Sequence, residues 1–330
     1  MAAASSILSL FNPPADIKPI IKPELTEDQT TKIQSLIDHF GAPDYALPVK
    51  EHAEDKVSLS NREMMFLSKE TLVRFLVGTK DDLPATITRL ENCLIWRRTE
   101  DVENVERMAD ACAPESKTGK NIALGFSTKG QPILYFFPNR SYLAYDSQEV
   151  LDGFSGRSHP LVYMLERAKD LMCAGVTNTF VVFNWHGKKQ GPSTPLSVVK
   201  STNHILSNFY PETLGLSSFQ DIPWVFKTLI NLVWPFVDPA TKKKVKFGSG
   251  KGREIVKEGD VAASQLLQEA GGDLDIPYDH DSYWPALLNV CLQLRKDEEE
   301  RWIALGDRQV GREEKQFKRH AGGTASEVSH

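Results

Sequence analysis

Residues 209–247 read FYPETLGLSSFQDIPWVFKTLINLVWPFVDPATKKKVKF, and their order decides how the rest of the chain is read. A helix end carries Tyr210-Pro211-Glu212, and Gly215 is expected to close it. A strand-like run at 219–223 ends on Pro223. Residues 224–236 then form a segment that is apolar almost all round. Its large apolar residues are Trp224, Val225, Phe226, Leu229, Ile230, Leu232, Val233, Trp234 and Phe236, against only Lys227, Thr228 and Asn231. Pro235 ends or kinks this helix, and Asp238-Pro239 stops it. The basic run at 242–246 leads into a further strand. A surface helix needs one apolar stripe, not an apolar circumference. Three explanations therefore compete: burial between layers, a lid over an apolar ligand, or a partner interface carrying two tryptophans.

Outward from this stretch, strands alternate with helices. Pro132-Ile133-Leu134-Tyr135-Phe136-Phe137 is a buried-strand candidate after the turn-rich 125–130. A helix is expected over 160–173, a second buried strand over 179–185, and a helix over 195–209, before the strands at 219–223 and 244–247. The alternation predicts an α/β fold with a mostly parallel sheet. Before residue 116 the pattern is helical instead. Thr26 offers a cap for Ile33, Leu36, Ile37 and Phe40 at helical spacing. Ser68 caps Leu72, Val73, Phe75 and Leu76, and Pro84 suits a first helical turn. The expected divisions are a flexible arm (1–26), a small helical bundle (27–115), an α/β ligand-binding domain (116–290) and a C-terminal helix with a charged tail (291–330). Residues 308–319 are read as solvated, and the final Ala-Gly-Gly-Thr-Ala-Ser as disordered.

The 330 residues carry a net charge of −5, which gives no global basis for nucleic-acid binding. Locally, residues 242–257 hold seven basic residues and one acidic one, Glu254, a patch suited to phosphate or an anionic surface. Cys93, Cys112, Cys173 and Cys291 are scattered without ligand-like spacing, so neither a zinc site nor a disulfide framework is expected. No signal peptide is read at the N-terminus. No run reaches the roughly 18 apolar residues that span a bilayer.

Several strings carry a resemblance to a known family. They are Ile95-Trp96-Arg97-Arg98; Gly130-Gln131-Pro132-Ile133-Leu134-Tyr135; Tyr163-Met164-Leu165-Glu166-Arg167; Ile222-Pro223-Trp224; and Tyr278-Asp279-His280-Asp281-Ser282-Tyr283-Trp284-Pro285-Ala286-Leu287. With residues 209–247, they resemble the CRAL–TRIO phosphatidylinositol transfer proteins, most closely the yeast branch linked to azole resistance and sterol homeostasis.

The resemblance implies a lipid pocket closed by a mobile apolar gate, with Trp224, Phe226, Leu229, Ile230, Val233, Trp234 and Phe236 as gate residues. It implies Glu212 and Lys244 as the pair that holds an inositol headgroup. Their chemistry suits that role, since a carboxylate accepts from ring hydroxyls and an ammonium meets a buried phosphodiester. In the founding members an R-x-R follows the RFL string, and its last Arg joins the headgroup network. Here that position is Thr79 with Lys80 beside it, so either Lys80 substitutes as a point charge or the contact is lost. Two strand hydroxyls of the founding members fall on Thr179 and Val181. One hydroxyl is missing, which disfavours phosphatidylcholine and favours a sterol as second ligand. The pocket floor is expected on Leu134, Phe136, Phe180 and Val182.

The implied function is exchange of phosphatidylinositol, with a sterol as second ligand, between cytosolic membrane faces. The chain is expected to be a monomer, with a dimer left open. It is expected in the cytoplasm, peripheral to endoplasmic reticulum, lipid droplet or cell-periphery membranes, without a cofactor or metal. Two other readings stay open: a scaffold that presents lipid to a kinase, and an α/β hydrolase. For the second, Gly153-Phe154-Ser155-Gly156 is one residue short of a nucleophile elbow. Gly248-Ser249-Gly250-Lys251-Gly252 lacks the spacing of a phosphate-binding loop. His186, His204 and His280 lack metal-ligand spacing.

Overall fold

The computed structural model describes residues 7–18, 24–140, 160–191, 196–237, 242–249, 253–307 and 309–322. Helix α1 (Glu27–Phe40) opens with a full capping box between Thr26 and Gln29 and buries Ile33, Leu36 and Phe40. A small antiparallel hairpin, β1 (Ala46–Pro48) and β2 (Lys56–Ser58), precedes α2 (Asn61–Phe66), which Ser60 caps with Glu63. Helix α3 (Lys69–Gly78) starts at the Ser68 cap, and α4 (Leu83–Thr99) starts at Asp82 with a proline in its first turn. Leu72, Phe75, Leu76, Leu90 and Leu94 join α1 in one apolar cluster. A further helix, α5 (Val105–Ser116), has no counterpart in the sequence reading; Pro114 inside its last turn obscures the periodicity.

The second part is a five-stranded sheet in the order β3-β4-β5-β6-β7. Its strands are Asn121–Phe126, Pro132–Phe136, Thr179–Asn184, Leu214–Gln220 and Val245–Gly248. Of these described strands, β3 is antiparallel to its neighbour, and β4 to β7 run parallel. The expected mostly parallel sheet is therefore present, with an unforeseen antiparallel edge. Helix α6 (Pro160–Leu171) links β4 to β5 in chain order, and α7 (Leu196–Phe209) links β5 to β6. Strand β6 spans 214–220, not 219–223. Gly215 thus lies inside it rather than closing α7, and a Cβ there would collide with the side-chain amide of Gln131. Helix α8 (Trp224–Val233) runs into a 3-10 turn at Trp234–Phe236. The long α9 (His280–Ala304) packs on α5 and α6.

Two terminal expectations are corrected. Ile7, Leu10 and Phe11 are buried in the main core, and the Gly125 N–H donates to Leu10 O at 3.1 Å. Residues 7–18 are thus part of the fold, their apolar contribution hidden by the surrounding prolines. Residues 309–322 are not a solvated tail either: Val310, Phe317, Glu314 and Arg319 are buried, while Lys315 and Gln316 face solvent. Arg319 donates to Phe11 O and Leu171 O, both at 2.9 Å, and so fastens both terminal stretches to α6. All four cysteines are free and buried. No helix among the described residues is long and apolar enough to cross a membrane.

Candidate functional site

Strand alternation assigns the two faces of the sheet. Leu134 pairs with Val181, Phe136 with Phe183, Ser217 with Val181, and Phe219 with both Phe183 and Phe247. Residues paired this way point to one side. The rings on that side form a ladder across four strands. Phe136–Phe183 centroids are 5.1 Å apart, Phe183–Phe219 4.9 Å and Phe219–Phe247 5.9 Å. The other side carries Tyr135, Val182 and Asn184, and it is covered by residues 266–270. Tyr135 accepts from the Leu267 N–H at 3.2 Å, and Asn184 donates to Glu269 O at 2.7 Å.

This register divides the expected floor residues between the two faces of the sheet. Leu134 and Phe136 lie on the ladder side, but Phe180 and Val182 lie on the opposite one. The β5 residues that share the ladder face are Val181 and Phe183, and that face continues through Ser217 and Phe219 on β6.

Helix α8 stands over this ladder. Phe226 approaches Trp185 at 6.2 Å between ring centroids, and Trp234 meets Phe247 edge-on at 5.0 Å. The outer surface of α8 is open: Trp224 is 79% exposed, Leu232 70% and Phe226 50%, while Ile230 and Trp234 are half-buried. Full burial between layers, one of the three readings of this segment, is excluded by these exposures. The side chains of Leu229, Val233 and Phe236 lie outside the described set. Asp221, with φ of 52°, and Pro223 mark the entry to α8.

Glu212 and Lys244 precede β6 and β7, and they meet: Lys244 Nζ stands 3.2 Å from Glu212 Oε2, both half-exposed. Glu212 also opens on a cavity of about 520 Å³ whose wall includes Val73, Val77, Gln131 and Asn178. Two more residues of the basic run are held in ion pairs. Lys246 pairs with Glu258 and Asp260, and Arg253 with Asp273 at 2.9 Å.

Thr79 does not offer a free hydroxyl. It closes α3, bonding Leu76 O at 3.0 Å and Thr86 Oγ1 at 2.6 Å. Lys80 is exposed beside it in a left-handed conformation (φ 57°). Thr179 is buried with its hydroxyl donated to Thr213 O at 3.1 Å, and Val181 follows two residues on, on the ladder side. His186 approaches Asp221 at 3.7 Å. No group of three or more metal-ligating side chains occurs among the described residues. Ser155 lies outside them, as do Gly250–Gly252.

Beneath the Glu212 loop is a buried ionic cluster that sequence reading missed. Tyr210 OH donates to Glu166 Oε1 at 2.7 Å, and Arg97 reaches the same carboxylate at 2.8 Å and Glu103 at 2.5 Å. Arg295 closes the ring to Glu103 at 2.6 Å and Asp170 at 3.2 Å. Burial alone would raise the carboxyls. Arg97 and Lys169 nonetheless hold Glu166 well below the usual range, and Arg97 with Arg295 pulls Glu103 down to about 2. The cluster joins α4, α6 and α9 to the residue two before Glu212.

Residues 116–272 match the model of the CRAL/TRIO domain. A CRAL-TRIO domain-containing protein of Schizosaccharomyces pombe is 30% identical over 262 residues, 79% of this chain but only 24% of that longer protein. The phosphatidylinositol transfer protein PDR17 of Saccharomyces cerevisiae is 29% identical over 315 residues, 90% of this chain and 85% of its own length. Among solved structures, that of Sfh5 aligns with a TM-score of 0.47 at 13% identity, over 84% of this chain and all of that one. The parallel sheet, the apolar helix over its aromatic ladder and the Glu212–Lys244 pair all lie in the matched segment, and residues 116–272 are a CRAL/TRIO domain.

Proposed function

We propose that this protein is a phosphatidylinositol transfer protein that takes single lipids from a membrane, carries them under α8 and returns them unchanged. The observation that carries the reading is the Lys244–Glu212 pair at 3.2 Å, formed by residues that bracket α8 in the chain. An inositol phospholipid needs a cation for its phosphodiester and acceptors for its ring hydroxyls, and the pair supplies one of each. The aromatic ladder supplies an apolar bed for the hydrophobic part, and the exposed Trp224 and Leu232 supply a membrane-facing surface.

A sterol is the second ligand in this reading. Thr179 has its hydroxyl committed to Thr213 O, and Val181 offers none, so the strand provides no donor for a second buried phosphate. The protein acts as a carrier rather than a catalyst, as a monomer, at the periphery of cytosolic membrane faces. Native mass spectrometry of the purified protein tests the reading. It should detect one phosphatidylinositol or one sterol per chain, and a protein that co-purifies with neither after exposure to membranes contradicts it.

A further inference from the structure

Glu212 sits at φ 54°, a left-handed conformation that crowds the Cβ of any residue but glycine. Such a residue persists only where its surroundings hold it. The holding group is on another part of the fold. Arg89, in the middle of α4, donates through Nε to Asn208 O at 2.9 Å, through Nη1 to Gly78 O at 2.9 Å, and through Nη2 to Ser207 O. These carbonyls belong to the last turns of α7 and α3, where unpaired C=O groups and the helix dipole favour a cation.

The fork therefore ties two helix ends together a few residues before Glu212. The join is tight: a Cβ on Gly78 would come within 2.8 Å of Pro211 Cβ and 3.0 Å of Arg89 Nη1. Further along the same face of α4, Cys93 Sγ lies 3.7 Å from Phe209 O, and Trp96 stacks on Phe209 with centroids 4.4 Å apart and planes at 14°. Arg89 thus grips residues 207 and 208, and Cys93 and Trp96 grip 209.

We propose that Arg89 is a positioning residue for the Glu212–Lys244 site: by clamping the ends of α3 and α7 it fixes the loop that aims the Glu212 carboxylate. The clamp needs the planar fork, since a single ammonium cannot face three carbonyls at once in this arrangement. The inference rests on Glu212 being the headgroup residue, and the test separates the two claims.

Transfer of fluorescent phosphatidylinositol between vesicles and binding of a fluorescent sterol are measured for Arg89→Ala, Arg89→Lys, Glu212→Gln and the double variant Arg89→Ala/Glu212→Gln. Arg89→Ala should lower phosphatidylinositol transfer about tenfold and leave sterol affinity within about twofold. Arg89→Lys should not rescue it, and the double variant should lose no more than the worse single one, because residues acting as one unit are non-additive. Normal phosphatidylinositol transfer by Arg89→Ala, equal loss for both ligands, or a fully additive double variant overturns the role of Arg89 while the headgroup reading stands. Unaltered transfer by Glu212→Gln overturns the headgroup reading itself. Should Arg89→Ala not fold, Arg89→Lys and its double variant carry the same comparison.

Discussion

Lys244 Nζ meets Glu212 Oε2 at 3.2 Å with 36% and 45% of the two side chains exposed. An ion pair this open contributes at most about 1 kcal/mol to stability, because water and salt screen it. Stability is a poor reason for the arrangement, especially with Glu212 in a strained backbone conformation. A ligand bearing both a phosphate and hydroxyls can replace each partner at little cost, so the pair reads as a site held ready rather than a structural strut.

The gate should respond to membrane. Residues 224–236 are expected to exchange their amides quickly in solution and to become protected when vesicles containing phosphatidylinositol are added, as Trp224 and Leu232 leave water. Hydrogen exchange read by mass spectrometry checks this. Equal protection with and without vesicles argues against a gate.

The buried ionic cluster should dominate stability where the surface pair does not. Arg97→Ala leaves the buried Glu166 without its main partner and should cost about 3–5 kcal/mol. Lys32→Ala, which breaks an exposed helical pair with Asp28, should cost less than about 1 kcal/mol. Urea denaturation of the two variants measures the contrast.

Glu298 should give the chain a pH dependence of opposite sign to most carboxylates. Burial raises it from an ordinary 4.5 to about 7, despite the opposing charge of Lys318. The folded chain keeps this proton after the unfolded chain has lost it, so the group's contribution to stability falls as pH rises from 4.5 to about 7. The loss is of the order of 3 kcal/mol. Glu298→Gln should remove that slope and make the protein more stable at pH 8. Thermal melts across pH 4.5–8 give the comparison, and an unchanged slope refutes the assignment.

How much of this was legible in the sequence varies with how local the signal is. The parallel sheet could be read because buried strands alternate with capped helices; Glu212 and Lys244 were singled out by the family resemblance, and the structure brings the two side chains together. Which β5 residues share a face with Leu134 and Phe136 could not be read, because TFVVFN is apolar on both faces and its phase is set by pairing with β4 and not by its own pattern. Ile7, Phe11 and Phe317 looked peripheral because their partners lie across the chain. Arg89 drew no notice in the sequence, since the three carbonyls it binds carry no side-chain signature. Trp185, Phe219 and Phe247 could have been found by aligning the strands in register.

The second ligand should follow Val181. Wild-type protein is expected to bind a fluorescent sterol and to transfer phosphatidylcholine poorly. Val181→Thr, adding a hydroxyl on the ladder face beside Ser217, should raise phosphatidylcholine transfer and weaken sterol binding. Phosphatidylcholine transfer as fast as that of phosphatidylinositol in the wild type, with no sterol bound, contradicts this.

The most direct test is transfer of labelled phosphatidylinositol between vesicles by the wild type, Glu212→Ala and Lys244→Ala, with circular dichroism to verify folding. Leaving either half of a buried headgroup contact unpaired costs about 1–3 kcal/mol or more, so each variant should transfer at least about fivefold more slowly. Their melting temperatures should stay close to that of the wild type, because the exposed pair adds little to the fold. Wild-type transfer rates in both folded variants contradict the account.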